Sequence, residues 1–504
     1  MTILIGRLIG GLMVQALPFL REEHVVARAW AYTVQFFQLS AMRRAKNGRS
    51  YGGSVRNTAG ANDQMRSHMK SMIETSRRIC IAVTVVMAAR ISAQTWTAPV
   101  ALSTGGQGWE AAAAIDGDGN SLAVWDERTT QDQLWSRSRA NGANWGSVTQ
   151  VSPALQTTSV FPAVRISTGG FATAVWTDSN GVWTADRPPA SAWESPQLLI
   201  SGASNPIFVM NSHGDAGIAW TVGGRPRSTT GSVMAVLRRA GGAWTAQQVI
   251  ASGPHLIADH AGIGDSGDVI VTWETYTAVC HRYGCSTSNY VLHASRQNAG
   301  SSAWADSGAL LGPDLDAHSA RVALDSAGGA TLLALSKTGT YISATQGNSG
   351  GAWSSFSTAI NPQGSVIISD LVSDDAGQVT LVYESITYPT SQALAVNSSI
   401  SRNTWSSPVV LSGSDTSVGQ VLFAAAPGGA GLVVWLSSSG TPAIHAITRA
   451  TATGSWTAPV SISGPGTSIS PEAAAVEPSG NAIAIYSGYD TSSVHTEYAT
   501  GYQP

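Results

Sequence analysis

From residue 111 onward the chain alternates short apolar runs with polar, glycine-bearing turns, and one pair of runs keeps returning. Residues 111–115 are apolar, Asp116-Gly117-Asp118-Gly119-Asn120 is turn chemistry, and 121–125 is apolar again, ending in Trp125. Two short strands joined by a glycine turn predict a hairpin. Equivalent pairs stand at 164–166 with 171–176, 207–210 with 216–220, 261–263 with 269–273, 321–324 with 330–335, 367–372 with 379–383, 421–426 with 431–435 and 473–476 with 482–486. The second run of each pair is apolar on both alternating faces, as in Leu122 and Val124 against Ala123 and Trp125, which predicts a strand covered from both sides. A third, more polar run follows, seen at 233–238, 290–295 and 443–448.

After the third run a Gly/Asn/Ser turn leads into a recurring tryptophan. These are Trp96, Trp145, Trp193, Trp244, Trp304, Trp353, Trp405 and Trp456, with gaps of 49, 48, 51, 60, 49, 52 and 51 residues. That period is about one blade of a β-propeller. Runs such as 193–196, 405–408 and 456–459 go from Trp to Pro, and a proline suits an unpaired outer edge, so they predict each blade's fourth strand. The chain opens with such an element at 95–103 and closes with three strands ending near Tyr498, so the N-terminal strand is expected to complete the last blade. The expected fold is all-β, an eight-bladed β-propeller preceded by a leader, or a seven-bladed one if one unit is misread. Trp125, Trp176, Trp220, Trp273 and Trp435 share one phase of the second strand, with Leu335, Tyr383 and Tyr486 in the other three copies. Together with the eight recurring tryptophans they read as packing between blades rather than as ligand platforms. Trp109, Trp135 and Trp183 stand outside that code.

Charge divides the chain unevenly. Residues 1–93 hold 13 Lys and Arg against 4 Asp and Glu, which leaves 15 basic and 27 acidic residues, and a single lysine, Lys337, for 94–504. Such a surface repels phosphate backbones, so nucleic acid is excluded as an expected partner. Within the basic part, Arg77 and Arg78 precede the apolar run 79–89 and then Ile91-Ser92-Ala93, the pattern of a signal peptide cleaved after Ala93. About eleven apolar residues are too few to span a bilayer as a helix, which needs roughly 20, so no stable membrane anchor is expected. Ser76-Arg77-Arg78 faintly matches a twin-arginine signal, though Ile79 and Cys80 depart from it. The reading assigns 1–64 to a poorly ordered upstream extension, with translation starting at Met65, Met69 or Met72, 65–93 to the signal peptide and 94–504 to the propeller. The rival is a long genuine pre-sequence or an inserted anchor. Beyond the leader only Cys280 and Cys285 remain, in one loop, and in an oxidising compartment they pair. A metal at that pair would want a second thiol or histidine pair, and none accompanies it.

In a propeller the loops from fourth to first strand and from second to third strand share one face. Two consecutive stretches expected there are rich in polar groups, Pro254-His255-Leu256-Ile257-Ala258-Asp259-His260 and Pro313-Asp314-Leu315-Asp316-Ala317-His318. Glu274 and Tyr276, at the end of a second strand, are expected beside them. The candidate ligand-binding residues are therefore His255, Asp259, His260, Asp314, Asp316, His318, Glu274 and Tyr276, with ordinary solvated loop residues as the alternative and no metal assigned. No cofactor is expected, calcium at Asp116, Asp118 and Asn120 being the one possibility; equivalent turns such as Thr168-Gly169-Gly170 share the glycine and not the carboxylates, so turn geometry is the common requirement. Carboxylates at second-strand ends, Asp126, Glu127, Asp178, Glu274 and Glu384, raise acid and base chemistry of glycoside hydrolysis as an alternative, against solvated rim charges.

The glycine turn followed by an apolar strand ending in Trp resembles the repeats of sialidase-like and Asp-box propellers, and those of secreted bacterial propeller lectins with about 50 residues per blade, over roughly residues 94–504. An Asp box puts its aromatic about three residues after the glycine, whereas Gly119 precedes Trp125 by six. A sialidase would also need an arginine triad with a Tyr and Glu pair; Arg165, Arg321, Tyr276 and Glu274 are available, but their local sequence does not match, so no catalytic residue is carried over. The expected function is a secreted or periplasmic, monomeric binding module for glycans or extracellular surface proteins, with no catalytic motif. The alternatives are a polysaccharide-acting glycoside hydrolase or lyase of sialidase-like type and a structural scaffold. N-terminal sequencing of exported protein is expected to return a mature end near Gln94; retention of residue 1 contradicts the leader reading.

Overall fold

A computed structural model describes residues 95–504 apart from 104–106, 129–130, 154–160, 225, 227, 283, 313–317, 349, 363, 403, 464–467 and 490–493. The expected extension and signal peptide lie outside the described residues. Every regular element described is a strand, and the strands form eight antiparallel sheets, seven of them four-stranded and consecutive in sequence. Blade 4, for example, is Leu256–Ile263, Val269–His281, Gly284–Gln297 and Ala305–Leu311, from the axis outward. The eighth sheet takes Ser470–Val476, Ala482–Tyr489 and His495–Gln503 from the end of the chain and its outer strand from the beginning. Thr95 pairs with Gln503, Trp96 with Tyr502 and Val100 with Ala499, so the ring closes as the order of parts in the sequence predicts.

No single core exists. Eight hydrophobic clusters lie one at each seam between neighbouring blades, because a second strand apolar on both faces must be covered on both. Trp125, Trp176, Trp220, Trp273, Tyr383, Trp435 and Tyr486 are buried, each against the blade before its own. One unit departs from the predicted phase. Counting from the turn hydrogen bonds Asp116 N–H to Asn120 and Asp325 N–H to Gly329, the residue equivalent to Trp125 is Ala334, while Leu335 faces the next seam. The run 331–335 has no polar alternation after Thr331 to fix its phase, which is why pattern alone misplaces it.

The recurring tryptophans also differ in detail from expectation. Most precede the outer ladder rather than lying in it: Gln197–Ser201, Val409–Val410 and Val460–Ser461 all begin after the proline. Each indole packs half-buried on the preceding blade, and four of them donate their N–H to it: Trp193 to Ser136 (2.8 Å), Trp304 to Gln248 (2.7 Å), Trp353 to Ser307 (3.1 Å) and Trp405 to Ser343 (2.9 Å). A buried arginine at the end of a third strand reinforces two seams. Arg238 pairs with Asp186 and Thr173 of the preceding blade at 2.7 and 2.6 Å and lies 4.7 Å over Trp244; Arg449 repeats this with Thr380 at 2.6 Å and Trp456 at 4.8 Å.

Inner strands begin earlier than their apolar runs imply. In blades 1, 4, 5, 6, 7 and 8 the ladder to the second strand slips at a β-bulge, as between Ala258 and His260, and pairing continues beyond it. Polar bulge residues such as Glu110, Asp259 and Glu472 interrupt the apolar pattern without ending the strand. Truncating a seam aromatic leaves a cavity that neither blade can fill, so Trp220→Ala is expected to cost about 3–5 kcal/mol, read as a lowered denaturant midpoint; an unchanged midpoint contradicts the seam packing.

Candidate functional site

Bulges and one long hairpin shape the candidate site. The second and third strands of blade 4 run on past the sheet as an exposed hairpin whose tip is closed by the Cys280–Cys285 disulfide. This extension accounts for the 60-residue gap between Trp244 and Trp304. At its base, at the seam between blades 4 and 5, lies a pocket of about 340 Å³ lined by Ile257, Asp259, Glu274, Tyr276, Thr287, Tyr290 and Ser319. That seam is also the one carrying Ala334 in place of the seam aromatic.

Tyr276 and Tyr290 form one wall, with ring centroids 5.5 Å apart, and His255 extends the row by stacking on Tyr276 at 5.3 Å. The Tyr276 hydroxyl donates to the Gly224 carbonyl at 2.5 Å, and Thr287 bonds the Tyr290 hydroxyl at 2.7 Å, so both rings are held from their polar ends. Burial, with Tyr290 beside it, raises the Tyr276 phenol above its ordinary value, keeping it neutral. Asp259 sits at the bulge and accepts the Ala320 N–H of blade 5, while Glu274 is buried.

Of the sequence-predicted residues, the structure brings Asp259, Glu274 and Tyr276 to this pocket, with His255 behind Tyr276. His260 does not join them. The stretch read as a loop is largely strand, 256–263, and across its bulge Asp259 and His260 serve different cavities. His260 lines the axial channel, where its Nδ1 accepts the Val322 N–H at 3.3 Å, and burial with the Arg321 charge pushes it down to about 3. Asp314 and Asp316 lie outside the described residues. His318 opens the inner strand of blade 5, and its side chain is not described.

Of the carboxylates at second-strand ends, Asp126, Glu127, Glu274 and Glu384 are buried and Asp178 is half-buried. None of Asp126, Glu127, Asp178, Glu274 and Glu384 lines the channel, whose wall of about 600 Å³ is made by the inner strands of all eight blades. Glu127 accepts the Trp125 indole N–H at 2.9 Å and Asp178 that of Trp183 at 2.8 Å. In the first glycine turn, Asp116 accepts the backbone N–H of Asp118 and Asn120 at 3.0 and 2.8 Å.

Sequence reasoning missed a second constellation, at the seam of blades 8 and 1. Glu497 is fully buried there, and among the described residues neither carboxylate oxygen has a hydrogen-bond partner. Burial first, then Glu472 and Glu110, hold its pKa well above the ordinary 4.5. Asp126 of blade 1, paired with Leu134 of the blade 1–2 seam cluster, rises from 3.8 to about 7, by burial and then Asp132. The half-exposed Trp109 of blade 1 stacks on His495 of blade 8 at 4.1 Å. The available signal was Trp109, off the repeat phase, followed by an acid that the apolar pattern rejects.

Fold and seams together define the class: this is an eight-bladed β-propeller with a single-blade hairpin insertion. No protein-family model matches the chain, and no curated protein does. Among solved structures it is similar to the BP39L lectin from Burkholderia pseudomallei, at 15% identity over 71% of this chain and 100% of that one, TM-score 0.46. It is similar as well to the Dos1 propeller, at 7% identity over 81% and 95%, TM-score 0.49, and to an ulvan lyase, a polysaccharide lyase, at 12% over 70% and 93%, TM-score 0.46. At such identities the likeness is one of fold.

The raised carboxyls make stability depend on pH. Between the ordinary value of 3.8 and about 7 the unfolded chain has released the Asp126 proton while the folded chain keeps it, so stability falls as pH rises through that window, and Glu497 acts in the same direction from 4.5 upward. Glu497→Gln combined with Asp126→Asn is expected to melt higher than the parent at pH 8 and to flatten the pH dependence of Tm; a variant as pH-dependent as the parent contradicts the assignment.

Proposed function

We propose that this propeller is an exported binding module for a glycan, held in the pocket between blades 4 and 5. The observation that carries the reading is that Tyr276 and Tyr290, with rings in contact, line one pocket of about 340 Å³ together with Asp259 and Glu274. A pyranose ring has an apolar C–H face that stacks on tyrosine and a rim of hydroxyls that donate to carboxylates, so one aromatic wall with two acids matches both. A pocket open at a seam takes a sugar or chain end more readily than a flat protein epitope. The disulfide supports an oxidising compartment, secreted or periplasmic, in keeping with the signal-peptide reading. A monomeric, unanchored protein is part of the same proposal.

A second reading, a polysaccharide-acting hydrolase or lyase, is favoured by one observation. Carboxyl groups with raised pKa, Asp126 and Glu497, in the two blades that carry the Trp109–His495 stack have the character of a general acid near an aromatic platform. Reducing-end release from polysaccharides, abolished in Asp126→Asn, would establish it.

Glycan-array screening followed by calorimetry tests the binding reading. Tyr290→Ala and Tyr276→Ala are each expected to weaken the best glycan by about tenfold or more, as loss of an aromatic anchor does. A glycan bound equally well by both variants, or no glycan bound by the folded protein, overturns it.

A further inference from the structure

The pocket between blades 4 and 5 has a charge character that the glycan reading leaves unspecified. Among the described residues its lining presents two carboxylates, Asp259 and Glu274, and no lysine or arginine. Residues 94–504 together hold 27 acidic against 15 basic residues, so the field around the pocket has the same sign as its lining. A uronate or a sulfated sugar is repelled there.

Both acids belong to the frame of the pocket. Glu274 stands opposite Ile257 in the ladder between the first two strands of blade 4 and is buried, and Asp259 is held at the bulge by the Ala320 N–H of blade 5. A carboxylate has about four lone-pair sites, so accepting that N–H leaves Asp259 able to accept from a ligand as well. Non-glycine backbone in the left-handed region flanks the same pocket, with φ of +54° at His255, +56° at Asn289 and +60° at Ser319. Ser319 is part of the lining, Asn289 precedes Tyr290, and His255 stacks on Tyr276. Backbone of this kind persists where its surroundings over-determine it, and it concentrates at ligand clamps.

Two carboxylates in one small cavity favour a cation between them. A bare metal ion fits poorly. Two carboxylates and a serine are fewer hard ligands than the six to eight that calcium takes, and among the described residues no three His, Cys, Asp or Glu groups converge on one point. A cavity of about 340 Å³ is also far larger than an ion fills. An ammonium group matches the donor set better, because it brings three N–H donors to the carboxylates and its charge is drawn to the face of a tyrosine ring.

We infer that the pocket selects an amino sugar, a pyranose carrying a free, protonated amine. The inference rests on the glycan reading and narrows it: the C–H face of the ring stacks on tyrosine while the ammonium donates to Asp259 and Glu274. Acetylation removes the charge, so an N-acetyl sugar ranks with the neutral hexoses.

Methyl glycosides of glucosamine, galactosamine and mannosamine, each beside its parent hexose and its N-acetyl form, with methyl glucuronide as the anionic probe, are titrated into the folded protein at physiological salt and followed by NMR. At least one amino sugar is expected to bind about tenfold or more tighter than its parent hexose, with the glucuronide weakest. Asp259→Asn and Glu274→Gln keep the shape and an acceptor for hydroxyls, and each is expected to remove most of that preference by weakening the amino sugar alone. Tyr290→Ala weakens amino sugar and hexose together. Should an acid variant fail to fold, pH carries the test in the parent protein: amino-sugar affinity falls as pH rises through the titration of the ligand's ammonium, and hexose affinity does not. Equal affinity for amino sugars and hexoses, both reduced in Tyr290→Ala, overturns the charge selection and leaves the glycan reading standing. A preference that survives in both acid variants also overturns it, because the acids of the pocket are then not its source. No sugar of any kind bound overturns both.

Discussion

The ring depends on one contact repeated at its seams, the burial of aromatic rings from one blade against the blade before it. At seven seams a second-strand Trp or Tyr lies deep and a second indole, from just ahead of the outer strand, lies nearer the rim. An aromatic side chain buries 150–250 Å² or so, roughly 4–6 kcal/mol of transfer free energy per ring before side-chain entropy is counted. Because no blade has a core of its own, this contact decides both the pitch of the ring and its number of blades. It also explains why the chain's two ends must meet: without Thr95–Trp96 and Val100–Ala101 on the last sheet, the seam clusters holding Trp96 and Leu102 would lose a side.

A structure built from one repeated contact has its chemistry where the repeat breaks. Blade 4 departs in hairpin length and blade 5 in the aromatic, with Ala334 at the expected place, and the pocket opens at the seam between them. Blades 8 and 1 keep the aromatic Trp125 but bury Glu497, neither of whose carboxylate oxygens has a hydrogen-bond partner among the described residues. Such an unsatisfied carboxyl costs stability at neutral pH, so its persistence marks a second place where packing is not the sole requirement. In the channel, the inner-strand level that is Ala112 in blade 1 and Leu422 in blade 7 is His260, Arg321 and Asp370 in blades 4 to 6.

Much of the fold was legible in the sequence, because alternation, glycine turns and tryptophan phase all report local pairing. Turn bonds such as Asp116 N–H to Asn120 stand where the pattern placed them, and the closing strand was visible from the order of parts. Three features were not. Bulges hide in sequence because a polar residue within a strand looks like its end, which turned 256–260 from strand into loop. Leu335 took the phase of Ala334 because an all-apolar run has no internal marker. The acids around Glu497 come from the first and last blades, nearly 400 residues apart, and only ring closure brings them together. For the candidate site the 60-residue gap pointed to the seam where the pocket of blade 4 lies, whereas the two faces of the bulge, sending Asp259 to the pocket and His260 to the channel, required the register.

The central claim is that ligand recognition resides at the irregular seam of blades 4 and 5, and hydrogen exchange with and without saturating glycan measures this most directly. Protection confined to the inner strand of blade 4, around 256–260, and to its hairpin, 274–290, is the predicted result. Protection spread evenly around the ring, or confined to the seam of blades 8 and 1, would contradict it.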